Sequence, residues 1–232
     1  MTKLTKFINV IVLSFLILYL QPLLASQHYS TINNQATSKL ANEHKFKAYH
    51  DSGKYNRDFN NVILTVNTYI NQRIKQNIQS NHPQKLALVL DIDETSLSNY
   101  DYIQQQHFIF NAEKNRQKTL KGDMPVFKST LKLFQEARKN GIAVFFVTGR
   151  PKELCPVTAK NLKNVGYNNW HGLFCRKNNK EKSAIPFKSS IRQSIVQKGY
   201  TIIANIGDQY SDLKGGFSEK TFKLPNPFYH LP

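Results

Sequence analysis

The run Leu86-Ala87-Leu88-Val89-Leu90 stops abruptly at Asp91-Ile92-Asp93-Glu94-Thr95, so that two aspartates one residue apart close an apolar stretch. Five apolar residues, with Pro83 before them and acids behind, read as a strand buried on both faces, as in a parallel sheet. Open parallel sheets bind ligands beyond the carboxyl ends of their strands, where these acids fall. A turn beginning at Ile92 lets one carboxylate face a ligand while the other approaches from the side. Two like charges this close repel, and the pair calls for a cation or for a raised pKa on one partner. Solvated acids capping a strand are the plainer reading. A calcium loop is set aside, because its fifth and sixth positions need an oxygen ligand and Gly where this chain has Thr95 and Ser96.

A chain of 232 residues is long enough for a full core, and 40% apolar with 20% charged residues fits a globular protein. At the amino terminus Lys3 and Lys6 precede the apolar run Phe7 to Leu20, then Pro22 and Leu23-Leu24-Ala25-Ser26. This is the layout of a secretory signal peptide over residues 1–25, with cleavage expected after Ala25 and an uncleaved anchor as the alternative. Residues 26–42, polar and without periodicity, read as a flexible leader, and residues 43–232 as the main domain. The net charge of +17 falls to +15 without the first 25 residues, which hold two lysines and no acid. The basic residues are dispersed and form no nucleic-acid motif, so a surface attracting small anionic substrates is expected, with no nucleic-acid polymer and no stable membrane anchor as partner. Five of the 15 acids fall in two short segments, Asp91, Asp93 and Glu94 in one and Asp208 and Asp212 in the other. Cys155 and Cys175 are the only cysteines; in an exported chain they can pair or stay free, and they lack close metal-ligand partners.

Helical spacing of Phe59, Val62, Ile63, Val66, Tyr69, Ile70 and Ile74 predicts a helix from Asp58 to about Ile78. After the first strand comes an aromatic-rich insertion, about 99–124, holding Tyr100, Tyr102, Phe108 and Phe110. Pro125 is expected to start a helix that ends at Asn140-Gly141. A second buried strand, Ile142 to Val147, meets Thr148-Gly149-Arg150-Pro151. A helix over 156–165, a short strand near Leu173-Phe174, and a helix opening at or after Lys188 follow. A fourth strand, Thr201 to Ile206, runs into Gly207-Asp208-Gln209-Tyr210-Ser211-Asp212, and Phe222-Lys223-Leu224 makes a fifth. Strands alternating with helices predict an α/β doubly wound parallel sheet in which Asp91, Thr148 and Asp208 converge at one edge.

A carboxylate pair, a hydroxyl, a lysine and a distant acidic pair suit phosphoryl transfer, since a carboxylate attacks an anionic phosphoryl group only where fixed positive charge offsets the repulsion. Oxygen ligands from Asp91 and Asp208 suit Mg²⁺, and Lys188 adds a second positive charge.

Asp-Ile-Asp-Glu-Thr, Phe-Val-Thr-Gly-Arg, Lys188 and Gly-Asp-Gln-Tyr-Ser-Asp resemble the four motifs of the haloacid dehalogenase superfamily. More narrowly, His50-Asp51-Ser52-Gly53-Lys54-Tyr55, Asn161-Leu162-Lys163-Asn164-Val165-Gly166-Tyr167 and Phe222-Lys223-Leu224-Pro225-Asn226-Pro227 resemble its class B acid phosphatase and plant vegetative storage protein branch, over roughly residues 43–230. The resemblance implies a Rossmann-like core with a small cap after the first strand and a helical extension before it. It implies Asp91 as nucleophile forming a phosphoaspartyl intermediate, Asp93 as general acid then base, Thr148 and Lys188 on the phosphoryl group, and Mg²⁺ on Asp91, the Asp93 carbonyl and Asp208. Asp212 would hold a metal-bound water or Lys188, and Lys182 is a rival for the lysine role. Arg150 is either a substrate contact or half of a structural ion pair; Tyr100 and Tyr102 either stack on a leaving group or form the cap's own core. The expected activity is hydrolysis of small phosphate monoesters, the alternatives being transfer to alcohols and a silent storage or binding protein.

Overall fold

The computed structural model describes residues 38–177 and 183–231. The expected signal peptide, most of the expected leader and Lys182 lie outside them. Residues 38–48 are helical and belong to a unit of their own, so helix begins inside the stretch read as leader; everything below concerns the second unit, from Tyr49 onward.

Alternation of apolar and mixed segments builds the sheet. Strands β1 (Lys85–Leu90), β2 (Ala143–Pro151), β3 (Gly172–Arg176), β4 (Tyr200–Gly207) and β5 (Lys220–Lys223) lie in the order β3-β2-β1-β4-β5, every pair parallel. The strand order reverses direction between β1 and β4, which is where such sheets open a crevice beyond their carboxyl ends. β1 is central and buried on both faces from Leu86 on, which is why its sequence reads as an unbroken apolar run. β2 continues past Val147 through Thr148-Gly149-Arg150-Pro151, so the motif residues are held by the sheet rather than by a free loop.

Helices cover both faces. α1 (Lys54–Ile78) buries Tyr55, Phe59, Ile63, Val66 and Ile70 along one stripe and starts four residues before the predicted Asp58, behind Gly53 at φ 72°. After β1 come α2 (Tyr100–Gln105) and α3 (Ala112–Lys121), the two helices of the insertion, and then α4 (Lys128–Lys139), which packs against α1 and β2. α5 (Cys155–Asn164) leads to β3. α6 (Ile185–Gln197) packs on the opposite face, where Ile195 joins Ala87, Val89, Phe145, Val147 and Ile202, and the four-residue α7 (Tyr210–Leu213) follows β4.

α4 begins three residues later than Pro125 predicts. Residues 125–127 are extended instead: Ser98 N donates to Pro125 O at 2.8 Å, Phe127 N donates to Ser96 O at 3.1 Å, and Leu97 bridges Val126 antiparallel. The chain therefore leaves the core for the insertion and returns to it through one two-stranded clasp.

Candidate active site

Asp91 follows β1 directly, its N–H donating to Ile206 O at 3.0 Å. The next turn is tight: Ile92 O accepts from the N–H groups of Ser96 and Leu97 at 2.9 and 2.8 Å, and Ser96 Oγ donates to Asp91 O at 2.7 Å. Glu94 sits at φ 47°, a left-handed conformation that reverses the backbone between the two aspartates and Thr95. Asp91 meets Lys188 and Asp93 meets Arg150, as a turn beginning at Ile92 allows.

Asp91 is 5% exposed and Lys188, 3% exposed, is in the first turns of α6 rather than ahead of it. Lys188 Nζ lies 2.5 Å from Asp91 Oδ1 and 2.5 Å from Asp212 Oδ1. Burial works against the lysine's charge, but Asp212 and Asp91 hold its pKa above the ordinary value. Asp212 can come this close because residue 207 is glycine: a Cβ there would collide with both Cβ and Oδ2 of Asp212. Asp212 Oδ2 also accepts from Gln209 N at 2.8 Å, and Arg192, fully buried on α6, donates to the carbonyls of Asp212 and Gly216, each at 2.8 Å.

Asp91, Asp208 and Asp212 are all buried, and each offers an oxygen within 4.8 Å of the others. Burial, then the Asp212 charge, raises the pKa of both Asp91 and Asp208 well above the carboxylate range; Lys188 opposes the shift at Asp91, and the Asn226 and Gln209 amides oppose it at Asp208. When all three are ionised, three carboxylates against one ammonium leave an excess of two negative charges, and the donor set is oxygen only. A hard divalent cation fits both counts, Mg²⁺ among them.

Asp93 has a different surrounding. Arg150 Nε donates to Asp93 Oδ2 at 2.9 Å and NH2 to Oδ1 at 2.8 Å, while Asn99 Nδ2 donates to Oδ1 at 2.7 Å. Burial would raise the Asp93 pKa, but the Arg150 guanidinium and these hydrogen bonds bring it below the usual value. Arg150 NH1 donates to Thr158 Oγ1 at 3.0 Å, so of the two roles expected for Arg150 the ion pair is present. Thr148 is fully buried and its Oγ1 accepts from Arg150 N at 3.1 Å.

A cavity of about 620 Å³ is lined by Asp91, Asp93, Lys188, Asp208 and Asp212, together with Gly149, Arg150, Arg176, Phe110, Arg116, Tyr229 and Leu231. Tyr100 and Tyr102 are not on it. α2 turns Tyr100 inward, where it stacks on His50 at 3.4 Å and meets Phe108 and Phe228, and Tyr102 lines a separate cavity between the insertion helices. The aromatics that do face the cavity are Phe110 and Tyr229, ring centroids 5.3 Å apart, one from the insertion and one from the carboxyl terminus. Cys155 and Cys175, one at the start of α5 and the other in β3, form a disulfide.

The family model for the HAD superfamily, subfamily IIIB (acid phosphatase), matches residues 18–232. Among curated proteins the chain is 39% identical to acid phosphatase 1 of Solanum lycopersicum over 148 residues, covering 62% of this chain and 58% of that one. It is 33% identical to vegetative storage protein 1 of Arabidopsis thaliana over 154 residues, covering 62% and 55%. The chain thus spans somewhat more than half the length of these relatives. The class C acid phosphatase from Bacillus anthracis shares the fold, with a TM-score of 0.66 at 18% identity over 83% of this chain and 85% of that one. Among the described residues no helix is long and apolar enough to cross a membrane.

Proposed function

Since the chain belongs to subfamily IIIB of the HAD superfamily, the acid phosphatases, we propose that it is an exported, Mg²⁺-dependent phosphatase that hydrolyses small phosphate monoesters through a phosphoaspartyl intermediate. The observation that carries this reading is the Asp91 carboxylate, buried at the end of the central strand with Lys188 at 2.5 Å and a two-charge deficit of cations around it. Asp91 Oδ2, the oxygen not engaged by Lys188, bonds to phosphorus as the ester oxygen leaves. Lys188 offsets the charge of Asp91 and of the transferring group, and Thr148 and the Gly149 backbone border the equatorial oxygens. Mg²⁺, when bound by Asp91, Asp208 and the Asp93 carbonyl, with Asp212 behind, supplies the remaining positive charge.

Asp93 in its acid form gives a proton to the departing oxygen. As carboxylate it then takes one from the water that attacks the phosphoaspartyl group, releasing phosphate and restoring Asp91. The Arg150 pair favours the carboxylate, so the second of these roles is the better supplied near neutral pH. Residues 1–25 would direct export, residues 26–42 form the leader and residues 43–232 carry the reaction. The disulfide accords with an oxidising compartment.

The test is a pre-steady-state burst of leaving group from an aryl and an alkyl phosphate, with inorganic phosphate followed in parallel. Asp91→Asn should show no burst on either ester. Asp93→Asn should slow the alkyl burst far more than the aryl one, because a nitrophenolate departs without a proton. Equal slowing of both bursts, or a burst retained in Asp91→Asn, overturns the assignment. A wild-type protein that releases no phosphate from any ester is a silent storage homologue, and new esters formed from added alcohols identify a transferase.

A further inference from the structure

Of the segments singled out in the sequence, Pro225-Asn226-Pro227 has no part in the chemistry above, yet Asn226 is 6% exposed and reaches into the acidic cluster. Its Nδ2 donates to Asp208 Oδ2 at 2.7 Å, and its Oδ1 accepts from Phe228 N at 2.9 Å, so both ends of the amide are fixed. Gln209 Nε2 donates to the same Asp208 oxygen at 2.6 Å, and Gln209 Oε1 accepts from Leu231 N at 3.1 Å. Upstream, Leu224 N donates to Gly207 O at 2.9 Å. Downstream, Phe228 is buried against Tyr55, Tyr100 and Phe108, and the Tyr229 hydroxyl donates to Glu94 Oε2 in the turn that carries Asp93. The carboxyl-terminal segment therefore joins the loop after β4, through Asp208 and Gln209, to the loop after β1, through Glu94.

We propose that Asn226 is a positioning residue of the metal site, and that the segment from Leu224 to Tyr229 is the clamp that sets it. The proposal rests on the reading of Asp208 as a ligand. With two amide donors on Oδ2, the oxygen left to a cation is Oδ1, which among the described residues accepts from the hydroxyl of Thr95 at 3.4 Å. Proline on either side restricts the backbone of residue 226 before the site forms, so little freedom is lost in aiming the amide.

The measurement is Mn²⁺ binding to the metal-free full chain, followed by the paramagnetic resonance signal of the free ion, since Mn²⁺ takes the same hard oxygen sites as Mg²⁺. Asn226→Ala should raise the Mn²⁺ Kd by about 10- to 100-fold, the range typical for loss of a hydrogen bond to a ligand. Melting in chelator, with no metal present, is recorded for the same variant. A lower melting temperature with an unchanged Kd would show a merely structural tail and overturn the proposal. If Asn226→Ala does not fold, Gln209→Ala, which removes the other amide from the same oxygen, takes its place with the same expectation. Wild-type protein that binds no Mn²⁺ would overturn the ligand reading of Asp208 and this proposal together, whereas normal wild-type binding unaltered by the variant overturns the proposal alone.

Discussion

Breaking the Cys155–Cys175 bond is expected to destabilise the protein by an amount set by the loop it closes. The two residues are 20 apart in sequence, and a loop of that size is worth about 3 kcal/mol in the chain-entropy treatment. A protein of this size shifts its melting temperature by about 2–4 °C per kcal/mol, so loss of the bond should lower it by about 6–12 °C. The loop contains α5, and α5 carries Thr158 under Arg150 and Asn161, whose amide donates to Met124 O and accepts from Met124 N, both at 2.9 Å. The loss should therefore reach the site, as weaker hold on Arg150 and on the end of the insertion. Calorimetry of the oxidised protein, the reduced protein and a Cys155→Ala/Cys175→Ala variant makes the comparison, with thiols titrated in denaturant as the control. Two titratable thiols in the unreduced chain, or a double variant that melts with the wild type, would refute the reasoning.

Chelation should abolish turnover and added Mg²⁺ should restore it, since Asp91 and a phosphoryl group otherwise repel; full activity in metal-stripped enzyme would sink the mechanism. Lys188→Ala leaves Asp91 and Asp212 buried without their ammonium and should cost about 3–5 kcal/mol of unfolding free energy in chelator, read by urea titration. Because the folded pKa of Lys188 lies above its unfolded value, the lysine's own contribution is fully present below the unfolded pKa and is lost only as pH rises through the folded one; without Lys188 the buried Asp91 carboxyl is raised further, so the deficit should shrink as pH falls and Asp91 is protonated. Arg150→Gln should let the Asp93 pKa climb, moving the acidic limb of the aryl phosphate rate profile to higher pH, and this effect should vanish in an Asp93→Asn background; an Arg150 effect that persists there would mean direct substrate contact.

The central strands were legible because β1, β2 and β4 are buried on both faces and must be written as apolar runs, and each run ends where a polar group enters the site. Asp91, Asp208 and Asp212 could be gathered from that rule and from the parallel topology. Side-chain direction could not. The turn expected from Ile92 is there, but that Asp93 meets Arg150 and that Tyr100 packs on His50 and Phe228 are tertiary contacts that spacing alone does not encode. Buried charge on a helix was also hard to read: Lys188, Arg192 and Ile195 form one inward stripe on α6, although two of the three look like solvent residues. Asn226, Tyr229 and Leu231 lie near the end of the chain, where no hydrophobic period points to them. Only the two prolines around Asn226 marked the place.

The clasp at residues 96–98 and 125–127 has a consequence for how such a protein can diversify. Because the two ends of the insertion are bonded to each other, what lies between them closes the same short gap whatever its length. Lengthening a closed loop is cheap, about 0.6 kcal/mol for each doubling, so a lineage can graft in longer or shorter caps at little thermodynamic penalty while the turn holding Asp91 and Asp93 keeps its shape. The lining that the insertion gives the cavity, Phe110 and Arg116 among it, can then drift independently of the acidic cluster.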